Sequence, residues 1–175
     1  MRVVAGSARG RRLVAPRGPA VRPTSDRVRE ATFNALTSLG AVEGAVVLDA
    51  FAGTGALGIE ALSRGASSAT FVDSSRHAVA AIADNLRITG LSDRADVICR
   101  DVLEYLVEPS RFDLALLDPP YEFDGWADVL ELVDSAVVVV ESDRHVTTGE
   151  RWRVVREKRY AGTVVAIAVR SSDME

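Results

Sequence analysis

The chain has 175 residues, which is the length of one domain that can bury its own hydrophobic core. Its hydrophobic fraction of 47% and charged fraction of 26% are ordinary for a globular protein, and no apolar run approaches the roughly 20 residues that a membrane-spanning helix needs. The net charge of −4 is unevenly distributed: residues 1–29 contain eight arginines and one acidic residue, so the rest of the chain is acidic.

The cysteine and histidine content limits the cellular location and the metal chemistry. Cys99 is the single cysteine, which excludes an intramolecular disulfide and favours a reducing compartment. The N-terminus lacks the long apolar region of a signal peptide. The two histidines are far apart in sequence, so we expect no metal site. These features predict a cytoplasmic protein.

In chain order, the first predicted element is a basic arm at residues 1–23, followed by a main domain at residues 24–175. Two apolar runs, Val3–Ala5 and Leu13–Ala15, flank a basic turn and predict a small hairpin. The proline-containing stretch Pro16–Pro23 predicts a linker. A basic arm on an acidic body is typical of polyanion binding, although a solvated tail is the alternative.

The main domain begins with a predicted helix and then alternates strands with helices. Thr24, Ser25 or Asp26 can cap a helix that continues to about Leu39. Its predicted apolar side contains Val28, Ala31, Ala35 and Leu36. Strands are predicted at Val46–Ala50, Ala69–Asp73, Asp96–Cys99, Phe112–Leu117 and Ala136–Val140, with helices between them at Leu57–Ser63, Arg76–Thr89 and Trp126–Val133.

The pattern predicts an α/β fold of the doubly wound, Rossmann-like type. Apolar strands of this kind are buried on both faces, as in a mostly parallel sheet with helices on either side. Two further strands, Arg151–Lys158 and Thr163–Val169, predict an antiparallel hairpin at the C-terminus. The complete sheet is therefore expected to have seven strands, with the N-terminal hairpin and helix as an extension.

A glycine-rich turn follows the first strand of the main domain. Gly53 and Gly55 let the backbone approach a ligand closely, and the following helix begins at the turn. Asp73 comes twenty residues after Gly53, at the end of the next strand, where a carboxylate can bind ribose hydroxyls. The spacing of Gly53, Gly55 and Gly58 also matches the dinucleotide fingerprint, so an NAD-dependent oxidoreductase is an alternative.

Several features favour S-adenosylmethionine over a dinucleotide. Asp49 precedes the turn, where it would repel a diphosphate but attract the ammonium group of S-adenosylmethionine. About 120 residues follow the turn, too few for a separate dehydrogenase substrate domain. Asp101, after the third strand, can accept a hydrogen bond from the adenine amino group. The candidate cofactor-binding residues are Asp49, Phe51, Gly53, Thr54, Gly55, Asp73, Asp101 and Val102.

The fourth strand ends in the sequence Asp-Pro-Pro-Tyr at residues 118–121, which can hold a planar amine. The Asp118 carboxylate and the Pro119 carbonyl can each accept a hydrogen bond from the amine, and Pro120 restricts the backbone. Tyr121 offers a flat face on which a base can stack. Together with the glycine turn, this motif predicts methyl transfer onto the exocyclic nitrogen of a base. The candidate catalytic residues are Asp118, Pro119, Pro120 and Tyr121.

Four segments carry a family resemblance: Arg2–Leu13, Arg22–Asn34, Asp49–Ala61 and Asp118–Tyr121. They resemble segments of the RsmD-type enzymes, the bacterial 16S ribosomal RNA guanine-N2 methyltransferases. The last two are shared with many amino-group methyltransferases, and the first two narrow the resemblance to this family. The resemblance implies a class I methyltransferase fold, S-adenosylmethionine as the donor, and a guanine in 16S RNA, in the small subunit or an assembly intermediate, as the acceptor.

The basic arm is then expected to bind RNA phosphates without reading sequence. Thr24 and Arg27 could instead face the carboxylate of the cofactor. The alternatives are methylation of adenine or cytosine in DNA, of another RNA or of a glutamine side chain, or a non-catalytic RNA assembly factor. The candidate RNA-binding residues are Arg9, Arg11, Arg12, Arg22 and Arg27.

Overall fold

The computed structural model describes residues 1–18 and 24–171. Of the predicted RNA-binding residues, Arg22 lies outside these ranges, as does much of the predicted linker. The helices and strands, in chain order, are α1 (Asp26–Ser38), β1 (Val46–Ala50), α2 (Ala56–Ser63), β2 (Ser68–Asp73), α3 (Arg76–Thr89), a 3₁₀ turn (Ser92–Arg94), β3 (Ala95–Cys99), α4 (Val102–Leu106), β4 (Arg111–Leu117), α5 (Trp126–Leu132), β5 (Asp134–Ser142), β6 (Trp152–Tyr160) and β7 (Thr163–Arg170).

Within the described ranges, seven strands form one sheet in the order β3-β2-β1-β4-β5-β7-β6. β1 pairs in parallel with β2 and β4, β2 with β3, and β4 with β5. β7 is antiparallel to both β5 and β6. The predicted doubly wound α/β fold with a C-terminal antiparallel hairpin is therefore confirmed.

The sheet separates two apolar layers. On one side, Phe33 of α1, Ile59 of α2 and Ile82 of α3 pack together with alternate residues of the central strands. On the other side, Tyr105 of α4 and Val129 of α5 pack on the intervening residues. Because successive side chains of a strand point to opposite faces, β1 and β4 supply buried residues to both layers.

The edge strands β3 and β6 are more exposed than the central strands, and for β3 this differs from the predicted burial on both faces. β3 has no fully buried residue, and Cys99 at its end is exposed. β6 is exposed from Arg153 to Arg159. Each edge strand has a neighbour on one side only, and charged side chains on an edge oppose pairing with another chain.

The sequence prediction missed α4, a five-residue helix. It is too short to show a hydrophobic period, and it forms because Asp101 caps its first turn and Tyr105 and Leu106 are buried. The predicted apolar side of α1 was partly wrong. Ala31 and Ala35 are half-buried, whereas the buried side consists of Val28, Arg29, Thr32, Phe33 and Leu36.

The N-terminal segment folds back as predicted, but within residues 1–18 it forms one antiparallel bridge, between Arg2 and Arg12, and no regular strand. It is held instead by α2. The backbone amides of Val4 and Ala5 donate to the Glu60 carboxylate at 2.9 and 3.1 Å. Arg29, fully buried, approaches Glu60 from α1 at 3.6 Å. The arm is therefore anchored to the layer formed by α1, α2 and α3. The proposed domain boundary at residue 23 stays a prediction.

Candidate active site

Four carboxylates lie at the carboxyl edge of the sheet, on the four adjacent strands β2, β1, β4 and β5. Asp73 ends β2, Asp49 lies near the end of β1, Asp118 follows β4, and Glu141 lies near the end of β5. Open α/β sheets bind ligands at the carboxyl ends of their parallel strands. The strand order thus brings together Asp49, Asp73 and Asp118, which the sequence predicted as site residues, and adds Glu141, which it did not.

The turn after β1 adopts left-handed backbone at Phe51, Gly53 and Gly55, with φ of 60°, 58° and 78°. This is uncommon for a residue with a side chain such as Phe51, and such conformations cluster at functional sites. A Cβ added at Gly53 would meet only the Phe51 carbonyl oxygen, at 4.0 Å, so the backbone is open on that side. The turn can therefore receive a ligand in close backbone contact.

Asp73 holds the glycine turn from the neighbouring strand. Its two carboxylate oxygens accept hydrogen bonds from the amides of Gly53 and Ser75, both at 2.9 Å. A carboxylate has about four acceptor sites, so further donors such as ribose hydroxyls can still bind. Asp73 thus fixes the turn and remains chemically able to bind ribose.

Asp49 is almost fully buried and accepts a hydrogen bond from the amide of Gly58 at 2.8 Å. Burial raises the pKa of Asp49 well above its ordinary value, and the carboxylates of Asp118 and Asp73 raise it further, while the bond from Gly58 opposes the rise. Gly58 is required by packing, since a Cβ there would lie 2.4 Å from the ring of Phe71. The third glycine of the fingerprint thus serves helix–strand packing.

The end of β3 reaches the same edge. The amide of Arg100 donates to the Asp73 carbonyl oxygen at 3.1 Å. Asp101 is exposed and caps α4 by accepting from the amide of Glu104 at 3.1 Å, whereas the side chain of Val102 is buried in the core. Asp101 therefore has a structural partner, and its predicted contact with adenine stays a prediction.

Asp118 and Glu141 share one hydroxyl group. Thr24, just before α1, places its Oγ1 at 3.1 Å from the Asp118 carboxylate and at 3.0 Å from both oxygens of Glu141. Burial raises the pKa of Asp118 to about 6, although the bond from Thr24 lowers it. The carboxyl group of Asp118, at the end of β4, thus has a pKa close to neutral pH, as is common for groups that act in catalysis.

The segment after Asp118 is held in place by β7 and by the loop that follows β5. Pro119 is buried, Pro120 is exposed, and among the described residues no hydrogen bond ends on the Pro119 carbonyl oxygen. The hydroxyl of Tyr121 lies 3.3 Å from Oγ1 of Thr163 on β7. Arg144 donates to the carbonyl oxygens of Tyr121 and Phe123 at 3.1 and 3.2 Å. The motif is therefore fixed in place, with the Pro119 carbonyl oxygen available as an acceptor.

Aromatic rings connect this segment to the glycine turn. The ring of Phe123 packs edge-on against Phe51 at 5.0 Å between centroids, and against Trp126 at 5.5 Å. Trp126 is buried in the core, so it gives the ring of Phe123 a fixed packing partner. The contact between Phe51 and Phe123 joins the predicted cofactor turn to the predicted acceptor motif.

The basic arm also reaches the glycine turn. Asn85 of α3, fully buried, exchanges hydrogen bonds with the backbone of Val14 at 2.7 and 2.9 Å and donates to the Thr54 carbonyl oxygen at 2.8 Å. The Thr54 hydroxyl lies 3.7 Å from the sulfur of Met1. The side chains of Arg9, Arg11, Arg12 and Arg27 are exposed and available to solvent or a polyanion.

Sequence reasoning missed Asn85, Glu141, Arg144 and Thr163. Glu141 had a detectable signal, since it follows the apolar run Val137–Val140 just as Asp118 follows Leu114–Leu117. The others interact with residues far away in sequence and had none. In residues 1–18 and 24–171, no group of three or more acidic, histidine or cysteine side chains could hold a metal ion. Nor does this part of the chain contain a helix long and apolar enough to cross a membrane.

The carboxylates at this edge of the sheet suit a ligand that carries a positive charge and a sugar. Asp73 and Asp118 are carboxylates that would repel a diphosphate, and Asp49 beside them has no basic partner for one among the described residues, while the open glycine turn admits a nucleoside-like group. The residues present therefore fit S-adenosylmethionine better than a dinucleotide. The adjoining acceptors at Asp118 and Pro119 can bind the hydrogens of an amine.

The comparisons with known proteins agree with this geometry. A family model described as conserved hypothetical protein 95 matches residues 1–169. The ribosomal RNA small subunit methyltransferase D of Haemophilus influenzae is 34% identical, over 90% of this chain and 88% of its own length. The protein of the same name from Escherichia coli K12 is 35% identical, over 90% of this chain and 84% of its own.

A solved structure from Escherichia coli, provisionally named the methyltransferase yhhF, superposes with a TM-score of 0.85. It is 32% identical in sequence, and the match covers 97% of both chains. The similarity therefore includes the arm and the C-terminal hairpin as well as the central sheet.

Proposed function

We propose that this chain, which belongs to the family described as conserved hypothetical protein 95, methylates the 2-amino group of a guanine in small-subunit ribosomal RNA. It is a methyltransferase with a class I, Rossmann-like fold. The names of its relatives support small-subunit ribosomal RNA as the substrate. The observation that carries the proposal is Asp118, half-buried at the end of β4 next to the glycine turn and followed by an available backbone acceptor.

S-adenosylmethionine, when bound, supplies an activated methyl group. The glycine turn at Gly53–Gly55 and the carboxylate of Asp73 would hold its nucleoside, and Asp49 would favour its positive charge. Phe51, whose backbone is left-handed, lies at the border between this site and the acceptor motif. The role of these residues is to fix the donor beside the amine, since positioning lowers the barrier of a reaction between two bound groups.

Asp118 and the Pro119 carbonyl would each accept one hydrogen of the 2-amino group. The lone pair of that nitrogen is delocalised into the base, and two acceptors draw the nitrogen toward tetrahedral geometry so that the lone pair can attack. The negative charge of Asp118 offsets the positive charge that grows on nitrogen, and the carboxylate can then take the released proton. A carboxyl group with a pKa of about 6 is ionised at neutral pH and able to act in this way.

The base must leave its stack to reach this edge, and Tyr121 offers a surface for it. Stacking on an aromatic ring is worth about 1–3 kcal/mol per base. The exposed arginines of the arm, Arg9, Arg11 and Arg12, would bind phosphates and fix the register of the RNA without reading its sequence.

The substrate is tested by supplying methyl-labelled S-adenosylmethionine with separate pools of DNA, free ribosomal RNA and small ribosomal subunits lacking the modification. We expect label in the ribosomal RNA or particle pool, recovered as N2-methylguanosine after digestion to nucleosides. Label recovered as methyladenosine, methylcytosine or methylglutamine would contradict the proposal.

Replacing the candidate catalytic carboxylate tests the mechanism. Asp118→Ala should lower the methylation rate by on the order of 100-fold or more, because it removes both an acceptor of the amine hydrogens and the offsetting charge. Cofactor binding, measured by calorimetry, should persist, since Asp73 and the glycine turn are unchanged. Normal turnover in this variant would exclude the mechanism.

A further inference from the structure

Glu141 is a buried carboxylate at the acceptor side of the site. Only 6% of its surface is exposed, and it lies near the end of β5, the strand next to β4. Leu117 pairs with Val140, so the residues that follow, Asp118 and Glu141, are neighbours across the two strands. Both carboxylates contact the Thr24 hydroxyl at 3.0–3.1 Å, which places them within about 6 Å of each other.

The strand order sets Glu141 on the side of Asp118 that is remote from the cofactor residues. The glycine turn follows β1 and Asp73 ends β2, and both strands lie on one side of β4. β5 and β7 lie on the other side, where Thr163 contacts Tyr121. Glu141 therefore lies on the Tyr121 side of Asp118, away from the glycine turn and Asp73.

A carboxylate in this position distinguishes between the amines that the Asp-Pro-Pro-Tyr motif could hold. It accepts hydrogen bonds and cannot donate them. The 6-amino group of adenine and the 4-amino group of cytosine are each flanked by a ring nitrogen that is itself an acceptor, and the glutamine amide is flanked by its carbonyl oxygen. The 2-amino group of guanine is flanked on one side by N1–H, a donor.

We propose that Glu141 binds the N1–H of the acceptor base and thereby selects guanine. Asp118 and the Pro119 carbonyl hold the 2-amino group, and Glu141 holds the adjoining ring nitrogen, so three acceptors face three hydrogens of guanine, the two on the 2-amino group and the one on N1. The same carboxylate repels the acceptor nitrogen of adenine or cytosine. This assignment rests on the proposed function and adds the residue that sets its base specificity.

Thr24 links this recognition to the catalytic carboxylate. Its hydroxyl has one hydrogen and therefore donates to Asp118 or to Glu141 at a given moment, but not to both. When N1–H of guanine donates to Glu141, it competes with the Thr24 hydroxyl for that carboxylate and so favours donation from Thr24 to Asp118. The correct base thus stabilises the ionised form of Asp118 that accepts the amine hydrogens.

The test uses the RNA target with its acceptor guanine replaced by 2-aminopurine, which keeps the 2-amino group but has no hydrogen on N1. Wild-type enzyme should methylate the guanine substrate about 10- to 100-fold faster, as kcat/KM, than the 2-aminopurine substrate, the range expected for loss of a hydrogen bond to a charged group. Equal rates on the two substrates would overturn the proposal without any variant.

Glu141→Gln should reduce or remove that preference. The variant loses the anionic acceptor for N1–H, and its amide can donate to N1 of 2-aminopurine, so the rate on guanine should fall while the rate on 2-aminopurine holds or rises. Glu43→Gln, which removes the same charge from an exposed residue before β1, should keep the wild-type preference. An unchanged preference in Glu141→Gln, or an equal loss on both substrates, would overturn the proposal.

The two proposals fail in different ways. If the proposed function is wrong, wild-type enzyme will form no N2-methylguanosine on the guanine substrate, and both proposals are then excluded. If only the role of Glu141 is wrong, N2-methylguanosine will form, and the preference over 2-aminopurine will be absent or independent of Glu141.

Discussion

At the scale of single residues, the site depends on carboxylates kept in unfavourable surroundings. Asp118 is half-buried and has Asp49 as a near neighbour, and burial raises the pKa of both groups. Such an arrangement costs folding free energy, because desolvation disfavours the charged form. The cost is acceptable where the carboxylate performs chemistry, and active sites are commonly less stable than they could be for this reason.

The raised pKa of Asp118 predicts a pH-dependent gain in stability for Asp118→Asn. The folded protein binds this proton more tightly than the unfolded chain, whose carboxyl has a pKa near 3.8, so wild-type stability falls as pH rises from about 4 to about 6. Asp118→Asn has no carboxyl group at this position, so its stability does not fall over this pH range. It should be more stable than wild type by about 1–3 kcal/mol at pH 7, with little difference below pH 4.

Denaturant unfolding of both proteins between pH 3.5 and 7.5 measures this difference. Asp128→Asn, at an exposed position on α5, serves as the matched control and should show no such rise. A stability difference for Asp118→Asn that does not change with pH would contradict the prediction.

At the scale of elements, the arm and α2 form one structural unit. The Glu60 carboxylate accepts from two arm amides and pairs with Arg64 at 2.9 Å, and Ser63 Oγ accepts from the amide of Ala8 at 2.9 Å. Val3 and Ala8 are buried in the same layer as the helices. Removing the arm would take from Glu60 its two amide donors and from Arg29 the Arg2 carbonyl oxygen to which it donates, which costs several kcal/mol. A deletion of the arm would therefore lower the stability of the protein as well as its affinity for RNA, and an RNA-binding assay would not separate the two effects.

The contact of the arm with α2 predicts that Gly6→Ala is destabilising. Gly6 has φ of 85°, and an added Cβ would lie 1.8 Å from the carbonyl oxygen of Ser63, so the arm must move away from α2. We expect a loss of about 2–3 kcal/mol in the free energy of unfolding, measured by denaturant titration.

Gly10→Ala is the matched control, since Gly10 has φ of 83° but no atom within 4 Å of the added Cβ. Its loss should be about 1 kcal/mol, from backbone strain alone. Similar losses in the two variants would show that the contact with Ser63 is unimportant.

At the scale of the whole molecule, positive charge is concentrated in the arm, while the remainder is acidic. Not every arginine of this region can face RNA. Arg29 is fully buried and pairs with Asp26 at 2.9 Å. Arg9, Arg11 and Arg12 are exposed. β6 also carries exposed basic residues, Arg153, Arg156 and Lys158, at the far edge of the sheet.

The arm's role predicts how RNA binding depends on salt. Replacing Arg9, Arg11 and Arg12 together by Gln should weaken RNA binding and make the slope of log K against log salt shallower by about 2–3, because each phosphate contact contributes about 0.7–0.9 to the slope. The arm should stay folded in this variant, since these side chains are exposed and the bonds from the arm to α2 come from the backbone amides of Val4, Ala5 and Ala8. Replacing Arg153, Arg156 and Lys158 by Gln removes equal charge from β6. An equal effect of the two triple variants would show that overall charge, and not the arm, determines the binding.

The sequence by itself determined the succession of strands along the chain, most of the helices, the glycine turn and the Asp-Pro-Pro-Tyr motif. These are local properties: a strand appears as an apolar run such as Val46–Ala50, and Pro119 and Pro120 restrict the backbone wherever they occur. The α4 helix was missed because five residues are too few to show a helical period. The buried side of α1 was partly missed because Arg29 is buried through its pairing with Glu60, a residue in another helix.

Only the tertiary structure decided which of these groups meet. Thr24 and Glu141 are 117 residues apart, and Glu141 becomes a site residue because β5 pairs beside β4 in the sheet. Asn85 joins the arm to the glycine turn across three segments of the chain. Hydrogen bonds of this kind depend on the order of the strands within the sheet and on the packing of the helices, which no local pattern of residues specifies.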